Sequence, residues 1–110
     1  MRASKHLKHE FIRGFLRGLS VVWPIISLLL VFMALLGLVV GQVEGWPVGD
    51  GLYFSFVTGL TIGYGDLVPK HALARFLAIV IGMSGIVMTG LIVAVGVHAL
   101  RGVLEDEGTR

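Results

Sequence analysis

Two runs of apolar residues without a single charged side chain dominate the pattern along the chain. They occupy residues 18–43 and 76–100. A helix needs about 20 predominantly apolar residues to cross the hydrocarbon core of a bilayer, so each run is long enough. The pattern therefore predicts two transmembrane helices, the first over 19–43 and the second over 72–100.

The first of these helices is apolar on every face. Pro24 is expected near its start, where a missing amide proton does little harm, and Trp23 is expected to anchor it at the membrane surface. A cleaved signal peptide is the alternative for an N-terminal apolar run. This run is longer than a typical signal sequence and has no small-x-small cleavage site before Glu44, so we expect it to be retained.

Small residues interrupt the second helix and give it a different texture. Its glycines include Gly82, Gly85, Gly90 and Gly96. Small residues let membrane helices approach each other closely. Helix packing is therefore the ordinary interpretation of these positions.

A short apolar segment lies between the two runs. Breaker residues over 44–50 predict a turn, and the apolar residues 51–60 fill only about half of the length needed to span a bilayer. A glycine-rich sequence follows over 61–65. Non-helical backbone at membrane depth is tolerated only where protein buries it or where it lines water. The order predicts a re-entrant loop, in which a short helix is followed by an irregular strand.

Composition agrees with a membrane protein and argues against an enzyme. Of the 110 residues, 55% are hydrophobic and 15% are charged, a balance that one soluble core of this size could not accommodate. Without cysteine, disulfides and thiolate metal sites are excluded, and His6 and His9 lack the partners that a metal site needs. The acidic residues are scattered, and no nucleophile lies beside a plausible base.

The glycine-rich sequence can turn the backbone into a binding surface for a cation. It reads Thr61-Ile62-Gly63-Tyr64-Gly65-Asp66. Glycine tolerates backbone conformations that a side chain resists, so successive residues can alternate in conformation and point their carbonyl oxygens the same way. A glycine-rich turn between two elements is the alternative, but the helices on either side favour the binding surface.

This stretch resembles the selectivity filter of potassium channels, with Ile62 in place of the valine in the T-V-G-Y-G sequence. Over residues 19–100 the order of segments also resembles the pore module of two-transmembrane potassium channels, bacterial ones in particular. The resemblance implies an all-α membrane protein with a re-entrant pore helix, assembled as a homotetramer, with permeant K⁺ and no cofactor. The potassium ligands it implies are the carbonyl oxygens of Thr61, Ile62, Gly63 and Tyr64 and the Thr61 hydroxyl, with Gly65 allowing the outer turn.

Two positions near the filter depart from the pattern of the family. Leu60 stands where many members have a second threonine, and Val57 stands where some bacterial channels have a glutamate behind the filter. That glutamate shares a proton with the aspartate after the filter, which is Asp66 here. By helical spacing Tyr53 is the nearest other partner for Asp66. We therefore expect these four residues to support the filter without the carboxyl pair.

Gating residues follow from the same resemblance. Gly85 lies where two-transmembrane potassium channels carry the hinge glycine of the inner helix, although close packing is the alternative. His98 lies near the end of the inner helix, where converging copies would repel each other when protonated, so it is a candidate pH sensor of the inner gate. The alternative is that His98 faces lipid head groups.

The N-terminal segment, 1–18, combines an apolar stripe with basic residues off that stripe. A helix of this kind can lie in the membrane interface and attract anionic lipids; the alternative is a solvated basic tail that only sets topology. The excess of Lys and Arg before the first helix places both termini in the cytoplasm.

The predicted organisation has an interfacial helix (1–18), a pore domain (19–100) and a short cytoplasmic tail (101–110). The tail is too short for a regulatory domain, so we expect a minimal channel or the pore module of a longer protein. Within the pore domain we expect an outer helix (19–43), a turret (44–50), a pore helix (51–60), the filter (61–65) and an inner helix (72–100).

The predicted function is selective, passive conduction of K⁺ across the cell membrane by a homotetramer. The alternatives are a pore-loop subunit of a potassium transporter, a non-selective cation channel and a non-conducting membrane hairpin. Transporters of that kind repeat the unit within one long chain and carry degenerate filters, and a tyrosine at position 64 is typical of a selective pore.

Overall fold

A computed structural model of the chain describes the backbone of residues 2–108 and the side chains of residues 6–105. The side chains of Arg2 and Lys5, which belong to the predicted basic interfacial helix, and the end of the predicted tail lie outside the described side chains. Three helices make up the described backbone, which contains no strand. The predicted all-α class is thus confirmed. The helices are α1 (Arg2–Glu44), α2 (Val48–Gly59) and α3 (Ala72–Gly108).

The helix α1 passes without a break through the boundary predicted between residues 18 and 19. The prediction that Pro24 lies near the helix start is therefore wrong, because Pro24 lies in the interior of α1. It has no amide proton to donate to the carbonyl of Ser20, one turn earlier. The helix was predicted to start at the border of the charge-free run. It starts earlier because a helix can continue through polar and charged residues.

The other two helices also differ in extent from the sequence-based boundaries. Helix α2 begins at Val48, directly after its N-cap residue Pro47, whose φ is −58°. Its C-cap is Leu60, with φ −83° and ψ 6°, so Leu60 lies just outside the helix. Helix α3 continues beyond Leu100 to Gly108, through most of the predicted tail.

Two of the three helices are long and apolar enough to cross a membrane. The qualifying segments are His6–Glu44 and Ala72–Glu105. The helix α2 has 12 residues, and at 1.5 Å per residue it extends about 18 Å, well short of the roughly 30 Å hydrocarbon core. The helix α2 is therefore too short to span.

The chain divides into two compact units. The first contains the described residues up to Ile25 together with those from Gly90 onward, and the second is Ile26–Thr89.

In the first unit, α1 and α3 pack through small residues. A Cβ added to Gly14 would lie 3.4 Å from the Ala99 Cβ, and one added to Gly18 would lie 2.8 Å from a methyl of Val95. Ala99 and Val95 are buried one helical turn apart. Two glycines spaced four residues apart on α1 thus let α3 approach closely.

In the second unit, α2 packs against α1 through a glycine pair. A Cβ added to Gly37 would lie 2.6 Å from the carbonyl oxygen of Gly51. One turn later the fully buried Ser55 donates its hydroxyl to the carbonyl oxygen of Met33. The side chains of Met33 and Ile81 are completely buried in this core. The short helix is therefore held by backbone-to-backbone contact as well as by apolar packing.

Candidate functional site

The glycine-rich segment leaves the end of α2 with an alternating backbone. The φ angles of Thr61, Gly63 and Gly65 are +61°, +59° and +81°, whereas Ile62 and Tyr64 between them do not have positive φ. Glycine adopts positive φ readily. A threonine does not, and the left-handed conformation costs it roughly 1–2 kcal/mol. Other contacts must therefore hold the chain in this conformation.

Those contacts are hydrogen bonds to the last turn of α2. The carbonyl oxygen of Val57 accepts from the amides of Ile62, at 2.9 Å, and Gly63, at 3.2 Å. The Thr61 amide donates to the carbonyl of Thr58 at 3.2 Å. Three successive N–H groups thus bond back to the helix and fix the segment.

The carbonyl groups of the segment are used differently from the amides. Within residues 2–108, no backbone hydrogen bond outside the helices ends on the carbonyl oxygens of residues 61–64. The side chains of Ile62 and Tyr64 are 48% and 70% exposed in the single chain. The amides of residues 61–63 are engaged, while the carbonyl oxygens of residues 61–64 remain available to an outside ligand such as a cation.

Leu60 engages the hydroxyl of Thr61, the first residue of the filter sequence. The Thr61 hydroxyl donates to the carbonyl oxygen of Leu60 at 2.6 Å, and the Leu60 amide donates to Phe56 at 2.9 Å. The Leu60 side chain is 47% exposed. Leucine at this position therefore leaves its backbone, rather than a side-chain hydroxyl, as the hydrogen-bonding partner of Thr61.

Tyr53 and Asp66 lie together behind the segment. Both line a cavity of about 160 Å³ whose wall also includes Val57, Gly63 and Gly65. The neighbouring Asp66 carboxylate is the main reason that the pKa of Tyr53 is raised above its usual 10.0. Burial and the negative charge of Asp66 act in the same direction. Helical spacing predicted this pairing, and Tyr53 and Asp66 lie at one cavity.

Gly85 makes the closest backbone approach among the glycines of α3. A Cβ at Gly85 would overlap the carbonyl group of Gly59, at the end of α2. Around Gly82 and Gly90, by contrast, nothing lies within 4 Å of such a Cβ. Gly85 therefore has a packing role at the base of the filter segment. The hinge role stays a prediction, and sequence reasoning missed Gly59 as the partner.

His98 lies on α3 in the first unit and is exposed. It lines a groove there together with Arg13 and Arg17 of α1. Glu10 and Glu105 are the acidic residues of the same groove. Charged groups of both helices therefore line the same groove as the imidazole.

Glu44 is a site residue that sequence reasoning missed. Its side chain, which is 4% exposed, accepts hydrogen bonds from the backbone amides of Lys70 and His71, each at 2.7 Å. The His71 Nδ1 atom lies 3.1 Å from the same carboxylate oxygen. The last residue of α1 thus caps the start of α3 and closes the loop that carries the filter segment. Its partners lie 26 and 27 residues later, a distance across which no local pattern gives a signal.

Comparison with known proteins gives one family match and several relatives. A family model described as "Ion channel" matches residues 16–102. Two-pore potassium channel 1 of Arabidopsis thaliana is 51% identical over 41 residues, which cover 37% of this chain and 11% of that protein. TWiK family of potassium channels protein 7 of Caenorhabditis elegans is 28% identical over 78 residues, covering 70% and 14%.

A human relative is similar over the same kind of short stretch. Potassium channel subfamily K member 17 of Homo sapiens is 43% identical over 52 residues, or 47% of this chain and 16% of that protein. The chain thus spans less than a fifth of the length of these three relatives. No solved structure matches the chain significantly.

Proposed function

The chain belongs to the ion channel family, and on that premise we propose that it forms a homotetrameric, potassium-selective channel. Family membership and the two spanning helices make it a membrane protein and an ion-channel protein rather than an enzyme. The names of its relatives, which are potassium channels of plant, nematode and human, support potassium as the permeant ion. The resemblance to bacterial channels stays a prediction.

The observation that carries the proposal is the backbone of the filter segment. Its φ angles alternate in sign, its first three amides bond to α2, and the carbonyls of residues 61–64 have no partner among those bonds. Alternating conformations allow successive carbonyl dipoles to face one side of the strand. Carbonyl oxygens arranged in rings can replace the hydration shell of K⁺. The ligands we propose are the carbonyl oxygens of Thr61, Ile62, Gly63 and Tyr64.

The tetramer is proposed because one chain supplies only part of an ion-binding site. A single copy supplies one strand of carbonyls and leaves that strand exposed, so it cannot surround an ion. Potassium-channel filters use four such loops around an axis, and a closed cyclic arrangement is consistent with the symmetry of homo-oligomers generally. Large apolar side chains exposed on α3 offer surface for neighbours and lipid; they include Phe76, Ile79, Met83 and Ile86.

The support behind the filter differs from the carboxyl pair of some bacterial channels. We propose that the Tyr53 hydroxyl and the Asp66 carboxylate brace the filter from behind, with Val57 as the apolar wall. Val57 also holds the filter through its carbonyl oxygen. Inactivation that depends on a shared proton between two carboxyls is not expected in this chain.

The C-terminal end of α2 adds an electrostatic contribution. A helix carries partial negative charge at its C-terminus, which favours a cation near that end.

The basic residues ahead of the first apolar run are expected to keep both termini on the cytoplasmic side of the cell membrane. The filter mouth then faces outward, and acidic residues around it raise the local cation concentration.

Two residues are proposed to act in gating. Gly85 is the candidate hinge of α3, and His98 is the candidate pH sensor of the inner gate. The charged residues that line the groove together with His98 are Glu10, Arg13, Arg17 and Glu105.

Ion flux across the membrane of liposomes tests the proposed function. Purified protein reconstituted into vesicles should release K⁺ along its gradient and exclude Na⁺. Gly63→Ala should abolish the flux, because alanine resists a φ of +59°. Gly49→Ala is the matched control, since nothing lies within 4 Å of a Cβ at Gly49 and its φ is not positive, and it should conduct normally. Equal flux of both ions would support a non-selective cation channel, and no flux from intact tetramers would contradict the proposal.

A further inference from the structure

A groove in the first unit has the dimensions of a ligand site. It lies between α1, over residues 10–22, and α3, over residues 91–105. Its volume is about 780 Å³, within the range of about 300–1,000 Å³ typical of small-molecule sites. Along α1 it extends about 18 Å, at 1.5 Å per residue. The groove is therefore long enough for an extended, chain-like ligand.

The groove changes from polar to apolar along its length. At one end it is lined by Arg13 and Arg17 of α1 and by His98 of α3. Further along, its walls are Val21, Val22 and Leu91. The two helices run antiparallel there in the sense that the early part of α1 meets the late part of α3. An elongated groove with charge at one end and hydrocarbon at the other matches an amphiphile.

The arginines lie at the position where α1 leaves the hydrocarbon. Arg17 is the last charged residue before the charge-free run 18–43, so it is placed at the edge of the membrane. Arg13 is one turn away on the same face, about 6 Å along the axis. Both side chains are exposed, and among the side chains of residues 6–105 neither takes part in an ion pair. Their charges are available to an external anion.

We infer that this groove binds one anionic phospholipid, with its phosphate on Arg13 and Arg17 and an acyl chain against Val21, Val22 and Leu91. Guanidinium groups bind phosphate oxygens through paired hydrogen bonds. The acyl chain replaces apolar contacts that the groove otherwise leaves open. This inference concerns lipid binding and holds whether or not the chain conducts K⁺.

The acidic residues of the groove narrow the choice of head group. Glu10 lies 2.7 Å from His6, so part of its charge is engaged within α1. Glu105 lies at the rim on α3. Two carboxylates beside two arginines repel a head group with several phosphates. A head group with a single phosphate and no other charge, as in phosphatidylglycerol, fits this balance.

Lipid binding to the intact assembly tests the inference. Delipidated full-length protein is titrated with phosphatidylglycerol, phosphatidylcholine or inorganic phosphate, and bound lipid is counted by native mass spectrometry. The wild type should prefer phosphatidylglycerol over phosphatidylcholine and should not bind phosphate alone at the same concentration. The double variant Arg13→Gln/Arg17→Gln should lose about thirtyfold of its affinity for phosphatidylglycerol, because the charge-assisted hydrogen bonds from the two guanidinium groups to the phosphate are lost.

A matched double variant separates this site from general surface charge. Lys8 and Arg101 are exposed basic residues of α1 and α3 that do not line the groove. Lys8→Gln/Arg101→Gln removes the same charge and should change the affinity less than threefold. Val21→Asn, which adds a polar group to the apolar wall, should weaken binding of long-chain lipid more than of a short-chain analogue with the same head group.

Three results would overturn the inference. Equal loss of affinity in the two double variants would assign the preference to the surface as a whole. Binding of inorganic phosphate as tight as that of the lipid would assign the arginines to a free anion. Unchanged lipid affinity combined with loss of the oligomer in Arg13→Gln/Arg17→Gln would show that a second copy of the chain occupies the groove.

Discussion

Gly85 of α3 lies so close to Gly59 of α2 that a Cβ at Gly85 would overlap the carbonyl group of Gly59. The contact joins the third helix to the residue directly before Leu60 and the filter segment. A side chain at Gly85 would displace the end of α2. The carbonyl oxygens of that end accept the hydrogen bonds from the filter amides. Packing at this point is therefore coupled to the geometry of the proposed ion site.

The first prediction concerns that contact. Gly85→Ala is expected to lower the free energy of unfolding in detergent by about 1–3 kcal/mol, because an added methyl group in a filled contact forces the backbone to shift. Gly82→Ala is the control on the same helix, where nothing lies within 4 Å of a Cβ. It should be neutral or stabilise by up to about 1 kcal/mol through helix propensity. If Gly85 served only as a hinge, Gly85→Ala would alter open probability without loss of stability.

The second prediction concerns Glu44. Glu44→Ala should lower the free energy of unfolding by about 2 kcal/mol, the range for hydrogen bonds to a charged group. Glu44→Gln keeps one oxygen acceptor and should lose less. Hydrogen exchange gives the direct test, because the amides of Lys70 and His71 should exchange faster in Glu44→Ala. Unchanged exchange at these two amides would show that the carboxylate does not cap α3.

The third prediction concerns the pH dependence of Tyr53. Its pKa is raised by Asp66, so the neutral phenol is the form that the folded state favours. The stabilisation from this contact is fully present below pH 10, the ordinary pKa of tyrosine, and is lost as the pH rises through the raised value. In a Tyr64→Phe background, where Tyr53 is the one remaining tyrosine, the tyrosinate absorbance should titrate with a midpoint above 10.

A substitution at the carboxylate checks the cause of that shift. Asp66→Asn should bring the midpoint of Tyr53 back toward 10, because the amide carries no negative charge. Asp50→Asn, also close to the start of α2 but not among the causes of the shift, should leave the midpoint where it was. An unchanged midpoint in Asp66→Asn would show that Asp66 does not act on Tyr53, and it would contradict the proposed brace.

The fourth prediction concerns the seat of α2 against α1. Ser55→Ala removes the hydroxyl that bonds to the carbonyl oxygen of Met33 and should destabilise the chain by about 1 kcal/mol. Ser84→Ala is the comparison, since the Ser84 hydroxyl bonds 3.0 Å away to Val80 within its own helix. That bond competes with the helix rather than joining two helices, so the change should be near neutral. Equal losses for both serines, measured by denaturant titration, would contradict the account of α2.

The order of the helices could be predicted from sequence because the thickness of the bilayer sets the length of an apolar run that spans it. Two charge-free runs and one run of half the length led to two spanning helices and a short one, and the structure has α1, α3 and α2 in those places. The ends of the helices were less visible. Charge marks where a helix leaves the membrane, but it does not end the helix, so α1 and α3 extend beyond the apolar runs.

The site was visible in sequence only where its chemistry is local. The positive φ angles of Gly63 and Gly65 follow from two glycines spaced around a tyrosine, whereas no sequence pattern indicated the positive φ of Thr61. The contacts of Gly59 and Glu44 depend on residues more than twenty positions away, and one chain contains no pattern that pairs them. Glycines four residues apart, such as Gly14 and Gly18, were the available signal for close helix packing, but the sequence-based predictions concerned only the glycines of α3.

The most direct test of the central claim is the reversal potential of reconstituted tetramers with K⁺ on one side of a bilayer and Na⁺ on the other. A K⁺-selective pore is expected to give a reversal potential far from zero, with the K⁺ side negative, because the carbonyls of residues 61–64 are proposed to replace the hydration shell of K⁺ and not that of Na⁺. A reversal potential near zero in equal concentrations of the two ions would show that the segment does not select, and would contradict the account.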